Sequence, residues 1–164
     1  FAYAVEPLPE RARSFYKPTL DLHDLGDGES FAIGTIAVTA FAQSHGFSTT
    51  VGYRFGDVAY TTDVVELSDA AFAILEGIHT WIIGTPVARP HPTHCHVDRA
   101  LEWIERVRPH RAILSHLGND LDYAALAARL PRGVEPAYDG LSLETASEQS
   151  AINESLTPAW GGAD

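Results

Sequence analysis

The sequence predicts an α/β fold, and three observations carry the prediction. Past residue 65, short apolar runs of strand character alternate with helical patterns, the order that builds a sheet with helices laid on it. Ahead of that alternation, VGYRF and VAYTT flank Gly56-Asp57, a two-residue hairpin turn. The chain has 164 residues, 45% hydrophobic and 20% charged, enough for one domain with a substantial core.

Residues 1–30 read as irregular, because Pro7, Pro9, Pro18, Gly26 and Gly28 interrupt any regular pattern. FAIGTIAVTAF, residues 31–41, is β-rich with Ile36, Val38 and Ala40 alternating, and is expected as one strand. It runs into AQSHGFSTT, a polar loop that holds His45, and Asp63 directly follows the second hairpin strand. Ser68 suits the N-cap of a short helix, DAAFAILE, that stops at Gly77. TWIIG (80–84) is a buried strand. VDRALEWIERV then sets Val97, Ala100, Leu101, Ile104 and Val107 on one helical face until Pro109 ends the helix. RAILSH is another buried strand, terminating at His116, and DYAALAARL is a helix. VEPAYDGLSLE is expected as a hairpin around Asp139-Gly140. Residues 145–164 are small and polar and read as a tail, so the folded unit is expected over 31–144.

The net charge of −11 argues against a broad basic nucleic-acid surface. No apolar run approaches the ~20 residues of a membrane span, and FAYAVEPLPERARSFY lacks the apolar stretch of a signal peptide. A single cysteine forms no internal disulfide, which points to a cytoplasmic home. There is no methionine, and a bulky Phe1 is not what routine Met removal leaves, so either an upstream segment removed by processing or, the reading favoured here, a piece of a longer chain is expected.

HPTHCH, residues 91–96, gathers three histidines and the lone Cys95, all potential zinc ligands. A knuckle from this segment alone would need His91, His94, Cys95 and His96 to converge, yet the next helix begins within a residue or two. His94 alone is expected to turn into a site. His91 and His96 are expected to face solvent or pack, Cys95 to be a small buried thiol, and His23, His79 and His110 to be surface or loop residues. His45, Asp63 and His116 share a placement in the loops after strands, where α/β proteins gather their sites. Singly, each has an ordinary structural role; together, two imidazoles and a carboxylate suit zinc, manganese or iron.

The segments QSHGFSTTVGYRFGDVAYTTDV, HPTHCHVDRALEWIERVRPHRAILSHL and LDYAALAARLPRGVEPAYDG make the arrangement specific. In that order they resemble the second half of a metallo-β-lactamase-fold hydrolase, an αββα sandwich. The last two resemble the branch that includes the cyclic phosphodiesterase of phosphonate utilisation. The resemblance implies that His45 is the single histidine ligand after the family's first motif, Asp63 the carboxylate bridging two divalent ions, and His116 the last histidine ligand. It also implies that His94, 22 residues before His116, is the catalytic, non-ligand histidine. The reaction implied is hydrolysis of a small phosphodiester-type substrate by hydroxide activated between two ions ~3.5–4 Å apart. His94 would donate a proton to the leaving alkoxide or a hydrogen bond to a phosphoryl oxygen.

The family's HxHxDH motif is absent here. His45, Asp63 and His116 are then three ligands spread over two metal sites, and the chain holds half a site. A fragment, a natural half that pairs with another chain, and a degenerate member with a binding role are the three readings. Gly84 stands where related sequences often carry an acidic residue, and Gly118 after His116 is a further departure. A lone second half would leave an apolar sheet face open, so a homodimer, or association with an amino-terminal half, is expected. Within enzymes the alternative is a lactonase or nuclease on the same fold; outside them, an α/β binding module with vestigial metal residues.

Overall fold

The computed structural model describes residues 23–144; the expectations for residues 1–22 and for the tail 145–164 lie outside the described residues. Seven strands form a single sheet in chain order: β1 (Ser30–Ile33), β2 (Ile36–Ser44), β3 (Thr49–Phe55), β4 (Val58–Thr61), β5 (Thr80–Gly84), β6 (Arg111–Ser115) and β7 (Val134–Pro136). The first four pair antiparallel, whereas β4 to β7 run parallel. Parallel neighbours need crossovers, and three helices supply them: α1 (Asp69–Leu75), α2 (Val97–Val107) and α3 (Tyr123–Arg129). The α/β class is therefore what the alternation of patterns implies.

Three element boundaries differ from expectation. Residues 31–41 are not one strand: Gly34 takes a left-handed φ of 61° and folds the chain into a hairpin with Ile33 opposite Ile36. The loop around His45 is shorter than its polarity suggests, because β2 and β3 pair as far as Ser44 and Thr49. That pairing depends on Gly52, where an added Cβ would fall 2.5 Å from the ring of Phe41 across the ladder. Finally, residues 134–144 form no hairpin. The amide of Leu141 closes a turn on the carbonyl of Tyr138, but β7 lies parallel to β6 and residues 141–144 form no strand. Pro136 ends β7 with no N–H to offer an outer partner.

One face of the sheet meets α1 and α2. Phe41, Ala59, Trp81, Ile83 and Leu114 pack against Ala71, Phe72 and Leu75 of α1 and Val97, Ala100 and Trp103 of α2. Leu101, Ile104 and Val107 complete the stripe that the heptad-like spacing predicts, partly buried against this core. Trp81 is its centre: fully buried, stacked on Trp103, and donating its indole N–H to Thr61 Oγ1 at 3.0 Å. Ser68 caps α1 by accepting from the Ala71 amide, as expected, and the Arg54 guanidinium donates to the carbonyls of Ile74 and Glu76 at its other end.

The period of two sends the alternate residues to the opposite face. Ile36, Val51 and Tyr60 lie there with 53%, 42% and 37% of their surface exposed, an apolar surface on a sheet whose other side is a packed core.

Truncating the centre of that core should destabilise the fold sharply. Trp81→Ala is expected to cost ~3–5 kcal/mol, read as a lower urea midpoint at unchanged slope.

Candidate metal centre

β2 and β4 point the same way, two antiparallel steps apart, and β5 and β6 follow β4 in parallel. Their carboxyl ends therefore open at one edge of the sheet, and the four histidine and aspartate residues singled out in the sequence all emerge there. His45 follows β2, Asp63 lies two residues beyond β4, and His116 follows β6. His94 arrives on the loop between β5 and α2, just ahead of the helix N-cap His96. Asp63 and His116 take left-handed φ values of 50° and 58°. Such backbone is uncommon outside glycine and persists where the surroundings dictate it; here it breaks each chain out of its strand.

The carboxylate of Asp63 sits between imidazoles. Its Oδ1 is 3.3 Å from His94 Nε2 and 3.6 Å from His116 Nε2. His45, Asp63 and His94 each present a donor atom within 4.8 Å of the others. The His45 and His94 rings meet edge to face at 4.7 Å, and those of His94 and His116 lie 5.7 Å apart. His45 Nδ1 is 2.7 Å from the Thr93 carbonyl oxygen. A carbonyl only accepts, so Nδ1 carries the hydrogen and Nε2 keeps the lone pair for a cation. Two imidazoles and a carboxylate, one imidazole already oriented from behind, are a donor set that fits a divalent metal. Burial first, and the neighbouring His45 next, hold the His94 pKa below the ordinary imidazole value, although Asp63 pulls it up.

Main-chain hydrogen bonds draw the loops together. Cys95 N–H donates to Val64 C=O at 2.5 Å, Val65 N–H to Ser44 C=O, Ser44 N–H to Glu66 C=O, and Gly118 N–H to Pro86 C=O. Beneath Asp63 lies a buried amide that the sequence reading passed over. Gln43, 2% exposed, donates to the Thr62 carbonyl and to Thr50 Oγ1, and the Thr50 hydroxyl donates to the Asp63 carbonyl at 2.8 Å. The signal was a polar residue at a position of β2 that shares the inward face with Phe41.

Three glycines fit these close approaches. At Gly46 (φ 73°) a Cβ would fall 2.6 Å from the Pro92 carbonyl oxygen, which is how His45 reaches Thr93. At Gly118 it would fall 2.3 Å from the Pro86 carbonyl oxygen, so that glycine supports the exit behind His116. At Gly84 a Cβ would meet Thr62 Oγ1 at 2.8 Å; the space an acidic residue would need is filled by Thr62.

The remaining residues of HPTHCH divide. Cys95 is 1% exposed and is an inert buried thiol, its pKa pushed up to about 12 by burial. His96 is a partly buried helix cap with no capping bond from its side chain. His91 is exposed but not isolated: its Nδ1 accepts from the Thr93 amide at 3.3 Å and lies 3.4 Å from His94 Nδ1. His79 and His110 stack on each other at 4.6 Å and take no part in the cluster.

Comparison with known proteins gives the arrangement a context. Residues 3–117 match the family model described as a beta-lactamase superfamily domain. A solved structure titled a new diphosphatase from the PhnP family is 28% identical with a TM-score of 0.74, covering 77% of this chain and 50% of its own. The metallo-beta-lactamase fold protein YhfI from Bacillus subtilis is 16% identical with a TM-score of 0.62, over 80% of this chain and 59% of its own, a likeness of fold alone. Among curated proteins, an octanoyltransferase of Porphyromonas gingivalis (strain ATCC BAA-308 / W83) is 25% identical over 129 residues, 76% of this chain and 26% of that protein. The chain thus spans about half the length of the diphosphatase and about a quarter of the transferase.

Two outcomes follow from the geometry. Gly46→Ala should lower stability by ~1–3 kcal/mol in urea unfolding, and should shift the NMR signals of His45 and Thr93 while leaving the Trp81 indole in place. Cys95 should resist iodoacetamide in the native chain and react promptly in guanidinium; fast native alkylation would contradict its burial.

Proposed function

The chain belongs to the beta-lactamase superfamily, and on that premise we propose that it carries part of the centre of a metal-dependent hydrolase acting on small phosphodiester-type substrates. One observation carries the reading: the Asp63 carboxylate lies between His94 and His116, with His45 in reach and oriented by the Thr93 carbonyl. The likeness to a diphosphatase at 28% identity supports phosphorus as the centre attacked.

Two divalent ions, of zinc, manganese or iron, are the cofactors this reading requires. His45 would hold one, His116 the other, and Asp63 both. Bound there, such ions supply Lewis acidity that activates water and offsets charge on phosphoryl oxygens. The protein's own groups then have separate tasks. Thr93 fixes the His45 ring, and the Gln43–Thr50 pair fixes the backbone that carries Asp63. His94 stands as the proton or hydrogen-bond donor toward the leaving oxygen, close to the N-terminus of α2, which favours an anionic group.

The donors missing from this chain, those of HxHxDH, come in this reading from an amino-terminal half that also covers the face of Ile36, Val51 and Tyr60. The diphosphatase has about that much further chain, which supports a companion half; a homodimer is the other way to cover the face. Among the described residues no helix is long and apolar enough to cross a membrane. A buried free thiol suits the reducing cytoplasm.

The test is hydrolysis of bis(p-nitrophenyl) phosphate with manganese or zinc added, by this chain together with its amino-terminal half. His94→Ala should lower turnover ~10²–10⁴-fold while the bound metal is retained. Loss of the metal in His94→Ala would make His94 a ligand and overturn its assigned role. Esterase or lactonase turnover in place of phosphodiester turnover would overturn the substrate class.

A further inference from the structure

Thr93 has hydrogen-bonding contacts with both His45 and His94. Its carbonyl oxygen holds His45 Nδ1 at 2.7 Å, and its hydroxyl lies 2.8 Å from His94 Nδ1 and 3.2 Å from His91 Nδ1. The residue is 7% exposed, so water does not compete freely for these contacts. Its hydroxyl has one hydrogen to give and two imidazole nitrogens within reach.

The surroundings decide where that hydrogen goes. The Thr93 amide already donates to His91 Nδ1 at 3.3 Å, so the lone pair of His91 has a partner. At the far side of the His94 ring, Nε2 faces the Asp63 carboxylate at 3.3 Å, and an ionised carboxylate only accepts. A neutral His94 with the hydrogen on Nδ1 would aim a lone pair at that carboxylate. With the hydrogen on Nε2 it presents N–H to Asp63 and a lone pair at Nδ1 to the Thr93 hydroxyl. Both ends of the ring are then satisfied.

We propose that Thr93 is a positioning residue whose hydroxyl holds His94 as the Nε2–H tautomer, so that His94 faces the centre as a hydrogen-bond donor and not as a metal ligand. This rests on the hydrolase reading for its catalytic consequence but not for its geometry. It accounts for His45, Asp63 and His94 converging while, of these three, His45 and Asp63 join His116 as the ligands of the hydrolase reading. A ring with its hydrogen on Nε2 has no lone pair there for a cation. One threonine thereby gives two neighbouring imidazoles opposite tasks: its carbonyl keeps His45 Nε2 bare, and its hydroxyl keeps His94 Nε2 protonated.

The experiment is nitrogen-15 NMR of the full chain without added metal, at about pH 8.5, above the ordinary imidazole range, where only tautomers distinguish the rings. Wild-type His94 should show Nε2 as the protonated nitrogen and Nδ1 as the bare one. Thr93→Val, which keeps the shape and removes the hydroxyl, should lower the Nε2–H to Nδ1–H ratio about fivefold, the equivalent of one net hydrogen bond. Thr93→Ser should restore it, a rescue that a purely structural role of the methyl group would not give. His91→Ala should leave the ratio unchanged. A wild-type His94 protonated at Nδ1 overturns the proposal without any variant, and so does a Thr93→Val spectrum with the wild-type ratio. Because no metal or substrate enters the measurement, failure of the hydrolase reading would appear separately, as absent metal binding with the tautomer pattern intact.

Discussion

The hydrogen bonds that tie the loop 91–96 to its neighbours are the constraint on which this site depends. That loop enters from β5, three strands along the sheet from β2, yet the Cys95 amide bonds the Val64 carbonyl and the Thr93 carbonyl holds His45. Val64 is the residue after Asp63, so one short segment fixes the positions of His45, Asp63 and His94 relative to one another. The arrangement needs a chain that passes within contact distance of another backbone, and Gly46 is where that happens. Without the close approach the donors would lie on separate, solvated loops with no common geometry.

Rigidity behind the loops comes from the core. Trp81 and Trp103 hold β5 and α2 together from below, and Thr93 and Cys95, both buried, flank His94 in the loop that presents it. The left-handed backbone at Asp63 and His116 is unfavourable for these residues by itself. It is sustained by the Thr50–Asp63 bond and by the Gly118–Pro86 bond, each on the residue concerned or within two of it. The site is thus a set of strained exits from a stable sheet. This is the usual relation between a scaffold and the groups it presents.

Much of this was legible in the sequence, for definite reasons. The α/β class followed from alternating patterns, and β5, β6 and α2 followed from apolar runs whose burial the sheet enforces. His45, Asp63, His94 and His116 were singled out by residue type, placement after strands and likeness to a family. The structure brings all four to one edge. What escaped was set by tertiary contact. The turn at Gly34 was hidden inside a uniformly β-rich run. The hairpin expected at Asp139-Gly140 kept its turn but not its second strand, because β7 ends in proline. His91 is exposed, as expected, but nothing in a one-dimensional pattern shows that the Thr93 amide folds back upon it. Gly84 read as a loss, but Thr62 fills the space beside it.

The central claim is that these loop residues form a metal centre. Calorimetric titration of zinc into the purified chain, wild type against Asp63→Asn, tests it most directly. Saturable binding in the wild type, weakened at least ~10-fold by the loss of one carboxylate charge, is the expected result. Equal zinc uptake by the two chains would contradict the claim, because the carboxylate at the middle of the cluster would then hold nothing.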